Sequence, residues 1–290
     1  MGRMGAAMAQ RLLGLGHELT VWNRTADKAR PLAALGAKVA ATPAELAQAA
    51  ELVLTILTNA EAIEAAYHGA SGLLSGEVGG KLFVEMSTVR PQVEQALATE
   101  VQARGAALID CPVSGTVGPA QSGKLLGFVG GDAADVARAR PVLEQLCRRV
   151  EHVGPVGSGA RLKLAINLPL LVYWQSLGEA LALCQSLEIE PSRLMDIIAD
   201  TSGGTNVLKV RGQAIGEALK GKEIAPPTFD VDSIRKDLST MIEEARALGY
   251  EAPVTERALQ CYDAVSRAGD GGMDGAMLPV RWAKRKQAGA

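Results

Sequence analysis

Lys163 and Asn167 stand four residues apart near the start of Gly157 to Leu187, the longest helix-compatible run in the sequence, so they share one helical face. Leu162, Leu164 and Ile166 surround the lysine with apolar side chains. An amine in such a partly dry setting is easier to deprotonate, because desolvation penalises its charge, and proton exchange near neutral pH becomes possible. An amide one turn further on can hold that amine. The chemistry this pair could do is acid/base catalysis. The same spacing also suits a surface lysine that snorkels to water, and the run by itself fits both. Gly157 and Gly159 let the backbone come close to a neighbouring segment at the helix entrance.

A second group of candidates sits where apolar runs end. Leu52 to Thr58, Lys81 to Met86 and Ala107 to Ile109 read as strands without polar alternation, the mark of a parallel sheet covered by helices on both faces. They end in Thr58-Asn59, Ser87-Thr88 and Asp110-Cys-Pro-Val-Ser114-Gly115. In an open α/β sheet the ligand crevice lies at the carboxyl ends of the strands, so Thr58, Ser87, Thr88 and Ser114 are expected to border one crevice. Each is also an ordinary turn former. Ser114 and Gly115 could offer consecutive backbone N–H groups to a carboxylate.

The chain begins Met1-Gly2-Arg3-Met4-Gly5, followed by a helical run to Leu15 and a strand-like His17 to Trp22. Gly2 and Gly5 fit the second and third places of the dinucleotide fingerprint, one for backbone approach to pyrophosphate and one for helix packing on the sheet. About 20 residues further on, where an NAD site places an acid on the ribose, stands Asn23-Arg24-Thr25. Arg24, Thr25 and Lys28 instead offer a guanidinium, a hydroxyl and an ammonium to a 2′-phosphate, which suits NADP(H) over NAD(H). Thr25 could equally serve as a helix N-cap.

The rest of the chain must position these groups. At 290 residues it exceeds one typical domain, and two are expected, residues 1–156 and 157–290. Strands alternate with helices up to a last short strand at Arg149 to Val153. Beyond Leu187 only helical patterns follow: Pro191 to Ala199, Leu208 to Leu219, Ser233 to Leu248, Val254 to Ala268 and Met277 to Lys286. Pro169, inside the central helix, removes a bond to the Ala165 carbonyl and should kink it. Thirty Lys and Arg against 32 Asp and Glu give a net charge of -2, with no basic stripe, which argues against nucleic acid as the main partner. No apolar run reaches the roughly 18 residues needed to span a bilayer, so a cytoplasmic protein acting on small molecules is expected. Cys111, Cys147, Cys184 and Cys261 lack CxxC spacing and are expected to be buried free thiols, with no metal site.

Taken together, Gly2-Arg-Met-Gly5, Val84-Glu-Met-Ser-Thr88, Pro112-Val-Ser-Gly115, Gly157-Ser-Gly159 with Lys163 and Asn167, and Lys236-Asp-Leu238 resemble the β-hydroxyacid dehydrogenase family. The resemblance runs from Gly2 nearly to Trp282. It implies a Rossmann-type parallel-sheet domain joined through a long helix to an all-helical domain, an α/β fold in class. The activity it implies is hydride transfer between NAD(P) and a short hydroxy- or oxo-acid. On this resemblance Lys163 is the acid/base and Asn167 supports it, while Ser114, Gly115, Thr116 and Lys236 hold the substrate. Cofactor contacts fall to Gly2, Arg3, Met4, Asn23, Arg24, Thr25, Leu57, Thr58, Thr88 and Lys236. The long apolar helices suggest subunit contacts, so a homodimer or homotetramer is expected. Thr116 stands where many relatives have glycine, and Pro119-Ala120 is closer to the glyoxylate/succinic semialdehyde reductases than to the 3-hydroxyisobutyrate enzymes. The family begins with a strand and a first glycine that precede the equivalent of Met1. A chain carrying both is expected to be more stable and to hold cofactor more tightly. Two other readings share the architecture: an imine reductase, disfavoured by Lys163, and a nucleotide-binding module without turnover.

Overall fold

The computed structural model describes residues 1–222 and 226–284, and the chain divides into two compact units, Met1–Ala165 and Ile166–Ala290. The division falls inside the long helix, whose first two turns go with the sheet.

In the first unit the strands are β1 (Thr20–Val21), β2 (Lys38–Val39), β3 (Leu52–Thr55), β4 (Leu82–Glu85), β5 (Ala107–Asp110), β6 (Val113–Ser114), β7 (Leu125–Gly130) and β8 (Cys147–Gly154). The helices are α1 (Arg3–Gly14), α2 (Arg30–Ala33), α3 (Pro43–Ala49), α4 (Ala60–His68), α5 (Pro91–Ala103), α6 (Val117–Gln121) and α7 (Ala133–Leu146), with α8 (Ser158–Leu183) starting here. Several begin as their sequences dictate: Thr42, Asn59 and Asp132 each accept a backbone N–H of the first turn through the side chain, satisfying a donor the helix cannot.

β3, β4 and β5 are parallel and in register, Thr55 beside Glu85 beside Asp110, so their carboxyl ends form one edge. Alternate residues of β4 and β5 enter separate cores. Leu82, Val84 and Ile109 pack with Ala7, Met8 and Leu12 of α1 and Leu143 of α7, while Phe83 and Leu108 pack with Ile63 and Tyr67 of α4 and Leu97 of α5. Burial on both faces explains why these strands lack polar alternation. β1 and β2 form a parallel pair of their own.

The sheet departs from the all-parallel expectation at one place. β6 runs antiparallel to β7, Val113 facing Gly127 and Ser114 facing Leu126, and β5 meets β7 antiparallel at Asp110 and Gly130. The segment 115–124 is too short for a parallel crossover, which takes about a dozen residues or more, and the chain reverses instead. β7 and β8 are parallel again.

The second unit holds the remainder of α8, α9 (Pro191–Ala199), α10 (Asn206–Leu219), α11 (Val231–Ala247), α12 (Pro253–Val265) and α13 (Leu278–Ala283). α8 is continuous through Pro169. α10 packs closely on α9 because Gly216 has no side chain: a Cβ there would lie 2.6 Å from the Ser192 Cα. The Tyr262 hydroxyl donates to the Leu171 carbonyl at 2.9 Å, tying α12 to α8. The helix expected over Met277 to Lys286 is described as far as Lys284; Arg285 and Lys286 lie outside the described residues. Among the described residues no helix is long and apolar enough to cross a membrane.

The cysteines correct one expectation. All four are free, but only Cys111 and Cys147 are buried, whereas Cys184, in the turn that follows α8, and Cys261, on α12, are partly exposed to solvent. The two buried thiols flank Gly127, and burial raises the pKa of each.

Candidate active site

The entrance of α8 is built around Asp110, the last residue of β5. Its carboxylate is fully buried and accepts the backbone N–H of Gly157 at 2.7 Å through Oδ1 and that of Ala160 at 2.7 Å through Oδ2. Three glycines make room for this. Gly157 has φ +91°, a Cβ on Gly159 would lie 2.2 Å from the Phe128 carbonyl oxygen, and a Cβ on Gly130 would lie 2.3 Å from Asp110 Oδ1. Burial pushes the Asp110 carboxyl up to about 6, opposed by the N–H donors of Gly157, Ala160 and Gly159. A carboxylate at a helix N-terminus also complements the dipole of the helix. The Gly157-Ser-Gly159 pattern therefore does approach a neighbouring segment, and that segment is a side chain the sequence reading left without a role. Lys163 follows in the second turn, 8% exposed, and Asn167 stands one turn beyond it, 6% exposed.

The strand ends are also brought together. Gly5 lets α1 pack on the residue after β3: a Cβ there would lie 3.2 Å from Ile56 Cγ2. That is the packing role of the last glycine in a dinucleotide loop. Gly2 occupies the N-cap of α1 in an extended conformation, no side chain caps the helix, and nothing lies within 4 Å of where a Gly2 Cβ would be. A twelve-residue helix with an uncapped, unobstructed N-terminus fits a pyrophosphate. Beside it, the Leu57 N–H donates to Ser87 Oγ at 2.7 Å, joining the loop that carries Thr58 to the one that carries Thr88.

Asn23, Arg24 and Thr25 follow β1. Asn23 Nδ2 donates to the Thr25 carbonyl at 2.8 Å and holds the turn. Thr25 sits at the N-cap of a short 3-10 helix, Ala26–Lys28, yet its side chain caps nothing. The Arg24 guanidinium is exposed, with no ion pair or hydrogen bond among the described residues. These groups fit a phosphate.

Ser114 lies on β6, not at the end of a parallel strand. Gly115 has φ +130°, and a Cβ there would meet Leu125 Cδ2 at 2.7 Å, so this turn admits only glycine. Thr116 is the N-cap of α6 without a side-chain bond to it. Ser114 through Thr116 thus share the first unit with Asp110 and Lys163.

In the second unit a buried carboxylate links two of the expected residues. Asp237, 3% exposed, accepts Asn167 Nδ2 at 3.4 Å through Oδ2 and pairs with Lys236 Nζ at 2.5 Å through Oδ1. Asp237 was part of a recognised triplet but carried no assigned role. Its signal is its type: a carboxylate predicted in the apolar interior of an amphipathic helix needs partners. Among the described residues no three His, Cys, Asp or Glu side chains are grouped to hold a metal ion.

Residues 1–154 match the family described as the NAD binding domain of 6-phosphogluconate dehydrogenase, and residues 157–280 match the NAD-binding family of NADP-dependent 3-hydroxyisobutyrate dehydrogenase. The chain is 33% identical over 260 residues to 3-hydroxyisobutyrate dehydrogenase of Pseudomonas aeruginosa, covering 88% of this chain and 86% of that one. It is 29% identical over 262 residues to the chloroplastic glyoxylate/succinic semialdehyde reductase 2 of Arabidopsis thaliana, covering 90% and 72%. Among solved structures it is similar to Psf3 in complex with NADP+ and 2-OPP, with a TM-score of 0.84, 30% identity and 96% of each chain covered.

Proposed function

Because the chain belongs to the β-hydroxyacid dehydrogenase family, we propose that it is an NADPH-linked reductase of a small aldehyde- or keto-acid. At the coarser level it is an NAD(P)-dependent oxidoreductase acting on hydroxy acids. The observation that carries the finer reading is a buried lysine on a helix whose first turn is bonded to the end of β5, four residues before Ser114.

The bound nicotinamide supplies the hydride. The protein's own groups do the rest. Ser114, Gly115 and Thr116 hold the substrate carboxylate, and Lys163 Nζ gives a proton to the oxygen that becomes the hydroxyl. Asn167 and Lys236, both held by Asp237, orient the amine and the substrate. Gly2, Arg3 and Met4 at the start of α1 receive the pyrophosphate, with Leu57, Thr58 and Thr88 further along the cofactor. Following NADPH oxidation over glyoxylate, succinic semialdehyde, tartronate semialdehyde and a cyclic imine tests this reading. Turnover of at least one oxo-acid is expected. Turnover of the imine alone would make the protein an imine reductase, and cofactor binding without turnover of any would make it a binding module.

Arg24→Ala is expected to remove most of the preference for NADPH. A charge-assisted bond to the 2′-phosphate contributes roughly 1.5–3 kcal/mol, or about ten- to a hundredfold in kcat/KM for NADPH, with little change for NADH. Equal kcat/KM for the two cofactors in the parent protein would overturn the assignment.

A further inference from the structure

Two buried carboxyl groups of the first unit have no part in the proposed reaction. Glu85, the last residue of β4, is fully buried. Its Oε2 accepts from Thr55 Oγ1 at 2.5 Å and its Oε1 from the Ser87 N–H at 2.8 Å. Each hydroxyl has one proton. With the Thr55 proton on Glu85, the Tyr67 hydroxyl must be the donor in its 2.9 Å bond to Thr55 Oγ1. Ser87 Oγ accepts the Leu57 N–H at 2.7 Å through a lone pair. One carboxyl group therefore ties the Thr55 hydroxyl at the end of β3 to the Ser87 backbone after β4, and Ser87 in turn holds the residue that precedes Thr58.

Burial raises the Glu85 carboxyl to about 7, opposed by its bonds from Ser87 and Thr55. Glu94, on α5, is fully buried, and neither carboxyl oxygen has a hydrogen-bond partner among the described residues. Burial, with the charges of Glu85 and Asp110 nearby, pushes its pKa well up. The donors converge on Glu85 alone.

We propose that Glu85 is a positioning residue for the cofactor, fixing through Thr55 and Ser87 the strand-end residues Leu57, Thr58 and Thr88. This rests on the oxidoreductase reading. Glu85→Gln keeps the shape but removes the charge and one acceptor, so a charge-assisted bond from Thr55 is replaced by a weaker neutral one and the Thr55 hydroxyl has to reverse toward Tyr67.

The test is a fluorescence titration of the full chain with NADPH. Glu85→Gln is expected to raise the Kd about tenfold, as the replacement of a buried charge-assisted bond by a neutral one would. At saturating NADPH, kcat should stay within about twofold of the parent. Thr55→Val should weaken NADPH in the same direction, and Thr55→Ser, which restores the hydroxyl, should return the parent value. Adenosine 2′,5′-bisphosphate, which would meet Arg24 and Thr25 after β1, should bind Glu85→Gln as it binds the parent. A Kd for Glu85→Gln within about twofold of the parent would overturn the proposal, as would an equal loss for the adenosine fragment, which would mean general loosening. If Glu85→Gln does not fold, the Thr55 pair decides: equal Kd for Val and Ser overturns it. A parent that binds neither NADPH nor NADH would instead overturn the oxidoreductase reading itself.

Discussion

Lys163→Ala is expected to lower kcat by about 10²–10⁴, the range for removal of a general acid, while NADPH binding stays nearly intact. The lysine is buried, sits two turns into a helix whose first turn is fixed to the sheet, and has Asn167 one turn away. Lys163→Arg should fail as well, since a guanidinium keeps its proton near neutral pH and its planar fork does not replace a point donor. Asn167→Ala should cost less, because it removes a contact that orients and leaves the proton source in place. The deciding measurement is single-turnover hydride transfer with NADPH bound. A rate for Lys163→Ala within about threefold of the parent would mean that the proton comes from elsewhere.

Asp110→Ala is expected to lose on two scales together. Removing the carboxylate strands the Gly157 and Ala160 amides in a buried place, each at roughly 1–3 kcal/mol, for a total of about 2–6 kcal/mol of stability. The helix entrance then shifts, and a displacement of about 1 Å at the lysine is enough for a loss of up to about a hundredfold in kcat. Asp110→Asn, which retains one acceptor, should fall between. Lys163→Ala makes the contrast, with kcat lost and the melting curve unchanged. Should Asp110→Ala unfold in urea at the same midpoint as the parent, the amides have another acceptor and the carboxylate is not the anchor.

Much of this arrangement is legible in the sequence, for physical reasons that differ from residue to residue. Lys81 to Met86 reads as a doubly covered strand because apolar residues occupy both of its faces, and Leu82–Glu85 is one. Gly5 and the Gly157-Ser-Gly159 pattern read as close approaches because glycine alone carries no Cβ, and both approaches exist. The antiparallel β6 does not read, since a two-residue strand has no period, and Ser114 was placed on the wrong kind of strand end. Asp110 and Glu85 do not read either. A polar residue closing an apolar run looks the same whether it turns to water or to an interior donor, and only tertiary partners separate the two. Thr25 had the sequence of a cap and makes none, because the helix after it is a single 3-10 turn.

The anchoring of α8 on Asp110 has a consequence for remodelling the enzyme. The entrance of the helix is bonded to the end of β5 through one side chain, that of Asp110. The loop that begins at Ser114 lies beyond that anchor in the chain, so it can be exchanged for another without rewriting the support of the lysine. A graft whose junction lies after Cys111 keeps the carboxylate and its three glycine neighbours at 130, 157 and 159 as one inherited block. A graft that starts before Asp110 must bring all four, because a donor sequence supplying the acid without the glycines would have no room to close around it.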